Sequence, residues 1–499
     1  MTFRRTARLS AGIALGVATA LTPLAIAGSA SAATPSPTAP QKVASGINVA
    51  ALPGATAFGD TPASTPETVS FILRERNVSA LETAAQAGIR NYLSVSQFAT
   101  TYGQTKANIS ALTAYLATFG VTTTVYADDV DVVATGTAGD FDSALSVTQK
   151  QYHVPALAGR NGLSGLPAQT VHGNVGAPLL PFQLSSFVLA VLGLSNYAPY
   201  ADHIAKATTS LLTPQAGSSN SCEATFGLTN GCHLPSFFSK TYGLNTLYAH
   251  GATGSGQTVG IVTLAAVDPG GPEYFWNNVA HIKRTGSLTV DNIDGGPGAP
   301  SAAAGSDETD LDIEQSGGLA PGANVIDYQA PNSDPGFADA FFTAASQNTA
   351  SDVSASWGES ETYLTAAILS GQEASTYAAA FDEAFLEFAA QGQSAFVSSG
   401  DAGAYDASAD LGTTNLSVDT PGDSPYITSA GGTTLPWTGT LTGKVAGKTV
   451  SAPVSVKAQR IWGWDYLWPA IATTTGVSLT KAAETNVVGS GGGFSQVYP

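Results

Sequence analysis

Two hydrophobic patterns follow one another along the chain. Between residues 66 and 155, short apolar runs alternate with helical spacing: Val69–Leu73 reads as a strand, Ser79–Gly88 and Thr105–Gly120 as helices, Val121–Tyr126 and Val130–Thr135 as strands, and Asp140–Val147 as a short helix. That order predicts an α+β domain with helices on one face of an antiparallel sheet. From about residue 234 the strands become continuously apolar. The turn Gly254-Ser255-Gly256-Gln257 leads into Thr258–Val262, as expected of a buried parallel strand. Asn324–Tyr328, Asp352–Ser356 and Ser394–Ser399 repeat it, separated by helical patterns over Gly336–Ser346 and Gln372–Gln391. This alternation predicts an α/β domain, a parallel sheet with helices on both faces, whose active site lies beyond the carboxyl ends of strands.

The N-terminus fits neither pattern. Arg4, Arg5 and Arg8 precede an apolar run, Ala11–Ala27, and a small-residue site, Ala30-Ser31-Ala32, which predicts a secretory signal peptide over residues 1–32. A single membrane span is the rival reading, and Pro23 with the many Gly and Ala speaks against it. Residues 33–65 read as a flexible lead, 66–155 as the first domain, 156–233 as a connector where processing falls, and 234–499 as the second domain. Within the connector lie the only cysteines, Cys222 and Cys232, expected to close a short disulfide loop in a secreted chain. A zinc site with His233 is the alternative, though it lacks a spaced fourth ligand.

Charge narrows the partners. Against 37 acidic residues stand 19 basic ones, a formal net charge of −18, which speaks against nucleic acid and anionic membrane surfaces. Only 11% of residues are charged, so the surface rests on Ser, Thr, Asn, Gln and Gly and stays polar when carboxylates are protonated. That composition suits an acidic environment.

Three segments of the second domain carry candidate chemistry. Glu308 and Asp312, at i and i+4, lie one above the other on a helix and can share a proton. Their bland reading is a pair of carboxylates favoured by the helix dipole. Val353-Ser354-Ala355-Ser356-Trp357-Gly358 ends one strand, and Phe396-Val397-Ser398-Ser399-Gly400-Asp401-Ala402-Gly403 ends another with an aspartate in a Gly-rich turn. Asp401 reads equally as a turn cap and Trp357 as a core aromatic.

In combination and in this order, these segments resemble the sedolisin family, the serine-carboxyl peptidases. Tyr92-Leu93-Ser94-Val95-Ser96-Gln97-Phe98-Ala99-Thr100-Thr101-Tyr102-Gly103 is similar to a segment of that family's kumamolisin-type activation prodomain. The resemblance spans roughly residues 66–155 and 234–499. It implies a subtilisin-like fold for the second domain, a ferredoxin-like fold for the first, and a secreted acid endopeptidase made as a proenzyme. Glu308 is then similar to the general base, Asp312 to the acid that orients it, and Asp401 to the donor facing the oxyanion, while Ser356, Trp357 and Gly358 would line the substrate cleft. A carboxyl donates to an oxyanion only while protonated and a base must be ionised, so such a site works in acid. Protein or peptide substrates, and the chain's own prodomain as inhibitor and folding aid, are the implied partners of a monomer.

One part of the family pattern is missing. The nucleophile belongs to a Gly-Thr-Ser segment after the motif that reads here Gly491-Gly492-Gly493-Phe494-Ser495, and no Gly-Thr-Ser occurs in these 499 residues. The chain is therefore expected to be incomplete beyond Pro499 and inactive alone, with the calcium site that the family implies also beyond Pro499. Thr263 stands where some relatives carry another glutamate. A Ser-His-Asp triad is disfavoured, because none of His153, His172, His203, His233, His250 and His281 lies at a strand end of the second domain. A glycosidase would need its carboxyls across a sugar cleft, roughly 5–9 Å apart, not stacked on one helix. A non-catalytic peptide-binding relative is the alternative function.

Overall fold

The computed structural model describes residues 36, 38–157, 166–202, 213–214, 233–370, 376–410, 415–445, 448–485 and 487–498. The expected signal peptide and the Cys222/Cys232 loop lie outside the described residues.

The first domain opens with strands β1 (Pro40–Lys42), β2 (Ala44–Ser45), β3 (Thr56–Asp60) and β4 (Pro66–Leu73). Helices α1 (Val78–Ala87), α2 (Val95–Thr101) and α3 (Lys106–Ala117) follow, then β5 (Thr122–Val125), β6 (Asp131–Thr137), α4 (Ala138–Leu145), β7 (Thr148–Val154), β8 (Gln169–Val175), β9 (Leu179–Pro181) and β10 (Val188–Leu192). A capping box starts α2: Ser94 accepts from the Gln97 amide while the Gln97 side chain accepts from the Ser94 amide. The main sheet runs β2-β10-β4-β6-β5, antiparallel except for β2 with β10, and β3-β7-β8 form a second sheet.

Strand alternation gives the main sheet two apolar faces. Val69 and Phe71 of β4 and Val132 and Ala134 of β6 pack with Leu112 and Leu116 of α3 and Phe141 of α4. Ile72, Leu189, Ala190 and Leu192 belong to a core shared with the second domain. The structure departs here from the sequence reading. Residues 40–60, expected as a flexible lead, contribute β1 to β3, and the expected connector contributes β8 to β10. Gly, Pro and Ser around β10 mask a five-residue strand that is held by being buried on both sides.

The second domain receives two short connector strands, β11 (Ala201–Asp202) and β12 (Thr213–Pro214). Its own elements are β13 (Thr258–Thr263), β14 (Leu288–Asn292), α5 (Ser306–Leu319), β15 (Asn324–Gln329), α6 (Asp334–Gln347), β16 (Asp352–Ala355), β17 (Trp357–Ser360), α7 (Tyr377–Gln391), β18 (Ser394–Ser398), β19 (Asp419–Thr420) and β20 (Thr428–Ala430). Six strands form a sheet in the order β14-β15-β13-β16-β18-β20, every neighbour parallel. On one face Ile313 of α5 packs with Ile261 and Val325; on the other, Phe337 and Phe341 of α6 and Phe381, Phe385 and Phe388 of α7 share a core with Val262, Tyr328 and Val353. The fold is thus α/β with a parallel sheet covered on both faces, preceded by an α+β domain. After β20 a long hairpin, Trp437–Val445 with Lys448–Val456, carries a small core of its own that includes Val454, Leu467 and Ile471.

Candidate active site

Helix α5 begins at the carboxyl edge of the parallel sheet, and one chain of hydrogen bonds fixes its rotation. The Trp357 indole donates to the Thr263 hydroxyl at 3.1 Å, the Thr263 and Thr309 hydroxyls lie 2.6 Å apart, and Thr309 donates to the Ala265 carbonyl at 3.0 Å. Because the Thr309 proton goes to Ala265, the Thr263 proton bridges the two hydroxyls, and each group gives and accepts once. All three side chains are buried. Thr263 is the link in this chain. Gly305 caps the helix at φ +96°, and a Cβ there would stand 2.6 Å from the Trp357 ring.

With Thr309 turned into the sheet, Glu308 and Asp312 come together on the adjoining face. Their carboxyls are hydrogen-bonded to each other, and Asp312 Oδ1 accepts from the Ser356 hydroxyl at 3.1 Å. Burial pushes Asp312 up to about 6, and the bonds from Ser356 and Glu308 pull against that rise. Behind the pair the helix stays acidic. Asp310 is pushed to about 6, chiefly by burial, and accepts from the Asp268 amide at 3.0 Å. Glu314 is pushed to about 8 by burial and then by the Asp310 charge.

Asp327 was not singled out by sequence reasoning. It sits mid-strand in β15, fully buried, and burial followed by the charges of Asp310 and Asp312 pushes it to about 8. An acidic residue within the otherwise apolar run Val325–Tyr328 was its available signal.

Ser356 follows β16 and Asp401 follows β18, and these strands are parallel neighbours, so both residues stand on the same edge of the sheet as the start of α5. The Asp401 turn is clamped by the glycine motif. Gly489 donates to the Asp401 carbonyl at 2.8 Å, Gly491 to that of Gly400 at 2.9 Å, and Gly403 to that of Gly489 at 2.9 Å. The two serines near that motif are engaged elsewhere. Ser490 donates to the Gly432 carbonyl at 2.8 Å, and the Ser495 hydroxyl donates to buried Glu361 Oε1, which also accepts from the amides of Gln496 and Val497.

The expected cleft residues divide by direction. The Ser356 side chain goes to Asp312 and the Trp357 ring goes into the core, whereas Gly358 abuts Asp419, where a Cβ would stand 2.5 Å from its carboxylate. Their backbone is a strand edge already in use: β11 pairs antiparallel with β17, Ala201 opposite Gly358 and Asp202 opposite Trp357. The connector therefore lies across the segment expected to hold an extended peptide. Among the described residues, no cluster of three or more His, Cys, Asp or Glu has the arrangement of metal ligands, and no helix is long and apolar enough to cross a membrane.

Comparison with known proteins bears on both domains. The family model described as "Pro-kumamolisin, activation domain" matches residues 53–197. Kumamolisin of Bacillus sp. (strain MN-32) is 35% identical over 193 residues, 38% of this chain and 32% of that protein. Xanthomonalisin of Xanthomonas sp. (strain T-22) is 28% identical over 461 residues, 84% of this chain and 51% of that protein. The chain thus spans from about a third to about half the length of these relatives. Among solved structures, Pseudomonas sedolisin (serine-carboxyl proteinase) complexed with two molecules of pseudo-iodotyrostatin aligns at a TM-score of 0.35 and 26% identity, over 48% of this chain and 58% of that one.

Proposed function

Because this chain belongs to the sedolisin family and carries a kumamolisin-type activation domain, we propose that it provides the activation domain and the carboxyl part of the active site of a secreted acid endopeptidase of the serine-carboxyl type. The observation that carries the proposal is the Glu308–Asp312 pair, hydrogen-bonded to Ser356 at the carboxyl edge of a parallel sheet. Glu308 takes the proton of a serine hydroxyl as it attacks the peptide carbonyl, and Asp312 holds and orients Glu308. Asp401, protonated, donates to the oxyanion of the tetrahedral intermediate. The pair must keep one proton between its two carboxyls, so activity falls as pH rises through the Asp312 value of about 6.

We assign no nucleophile among these residues. No Gly-Thr-Ser occurs among them, and Ser490 and Ser495 are bonded away from Glu308. These 499 residues are therefore expected to leave acid-denatured haemoglobin intact between about pH 3 and 5, and the same residues joined to a segment that supplies a Gly-Thr-Ser serine are expected to digest it once processed. A folded, processed form with that serine that digests nothing overturns the assignment. The latent state is read from β11, which occupies the Trp357–Gly358 edge as a peptide substrate would.

Ser356 provides a finer test. Its hydroxyl stabilises the ionised form of Asp312, so Ser356→Ala raises that carboxyl further. The alkaline limb of the pH profile of a serine-bearing form is expected to move to higher pH, by up to about one unit. A limb that stays put or moves down removes Ser356 from this role.

A further inference from the structure

We propose that the joint between the activation domain and the peptidase domain is a proton latch, closed while carboxyl groups facing each other across it are neutral and opened when they ionise. The centre of the joint is apolar: Ile72, Leu81, Phe98, Val130 and Leu192 of the first domain share a core with Phe337, Phe341 and Phe385 of α6 and α7. Around that centre the polar contacts set acid against acid. Asp131 of β6 is hydrogen-bonded to Asp339 of α6, which also accepts from the Ser70 hydroxyl and bonds the Asp294 carboxyl. Asp128 is hydrogen-bonded to Glu387 of α7, and the Glu75 amide donates to Glu383 Oε1 at 3.3 Å, leaving the Glu75 and Glu383 carboxyls as neighbours. The Ile47 amide donates to Asp334 at 2.7 Å.

Cations do little to offset this. Arg74 acts on Glu383 only through its charge, the Arg76 guanidinium is spent on the carbonyls of Ala99, Thr100 and Gly103, and Lys106 pairs with Asp129 at 2.6 Å within its own domain. The other charges facing these groups, Glu82 of α1 and Asp382 of α7, are acidic as well. Among the described residues no ion pair joins the two domains. Tyr126 crosses the joint as a neutral phenol, accepting from Thr343 at 3.0 Å.

Two carboxyls that share a hydrogen bond out of water cannot both be ionised, so the closed joint holds protons that the open joint releases. Burial, with the neighbouring acids, agrees: it lifts Asp128 to about 7 and Glu383 to about 8, and Glu75, Asp131, Asp339 and Glu387 well above the usual range. Values raised in the closed state give a joint that is tightest below the ordinary carboxyl value of about 4 and weakens as pH rises through about 7 to 8. A joint built on carboxylate–ammonium pairs would have the opposite sign. Acid therefore tightens this joint, and release in acid requires a cut in the connector.

The test uses the full chain in small-angle scattering at about pH 5 and about pH 9, with far-ultraviolet circular dichroism to follow secondary structure. The wild type is expected to be compact at the lower pH and to expand at the higher one without losing helix. In Glu75→Gln/Asp128→Asn/Asp131→Asn, amides stand where neutral carboxyls stood, so this variant is expected to stay compact at both; Asp131→Asn alone, the mildest change, should reduce the expansion. A wild type that does not expand at high pH, or that expands in acid, overturns the latch. So does a variant that expands as the wild type does.

Discussion

Glu308→Gln, in a form of the protein that carries the serine, should lower kcat for a peptide substrate in acid by at least about 10³-fold while leaving KM within a few-fold. The amide keeps the length of the side chain and can still bond Asp312, so α5 has no reason to move. What it loses is the ability to take a proton, which the proposal assigns to no other group. Asp312→Asn makes the control. It leaves the base in place but replaces the buried partner whose value is raised to about 6, and should cost less than Glu308→Gln. A Glu308→Gln enzyme retaining a tenth of the wild-type rate would remove Glu308 from the base role.

The second large effect is structural, at Gly305→Val. The residue before α5 holds φ +96°, where a β-branched side chain is strained by about 1–2 kcal/mol. Its Cβ would also meet the Trp357 ring at 2.6 Å, and that ring cannot withdraw because its indole is bonded to Thr263 and its surroundings are packed. Overpacking of this kind costs about 1–3 kcal/mol, so the domain should lose about 2–5 kcal/mol, read as a fall in the denaturant midpoint. A loss below about 1 kcal/mol would mean that α5 can turn to accommodate the side chain, and that the Thr263–Thr309–Trp357 chain does not fix it.

Most of the parallel sheet was legible because its strands are continuously apolar and its helices are long. Thr258–Thr263, Asn324–Gln329, Asp352–Ala355 and Ser394–Ser398 fall where the pattern puts them. Leu288–Asn292 and Thr428–Ala430, the edge strands, did not show, because an edge strand is exposed on one side and its polar residues break the run. In the candidate site, the i, i+4 spacing placed Glu308 and Asp312 together, whereas the pairing of Ser356 with Asp312 depends on two strands meeting a helix far away in sequence. Trp357 combines both of its readings, since the ring is core and its backbone belongs to the strand edge. The carboxyls across the joint were invisible in sequence, as each looks like an ordinary surface acid until the opposing one is seen.

Strand β10 decides what a break in the chain would release. It lies between β2 and β4 in the first sheet, yet in sequence it follows the stretch between Val154 and Gln169. A single break in that stretch would give two fragments that complement each other like a split protein, with β8, β9 and β10 still covalently part of the second domain's chain and still laddered onto β7, β1 and β4 respectively. A break just after Leu192 would free the whole domain and leave β11 on the Trp357–Gly358 edge. Only a break beyond Asp202 does both at once, so the order in which this molecule can be taken apart is written in its strand order.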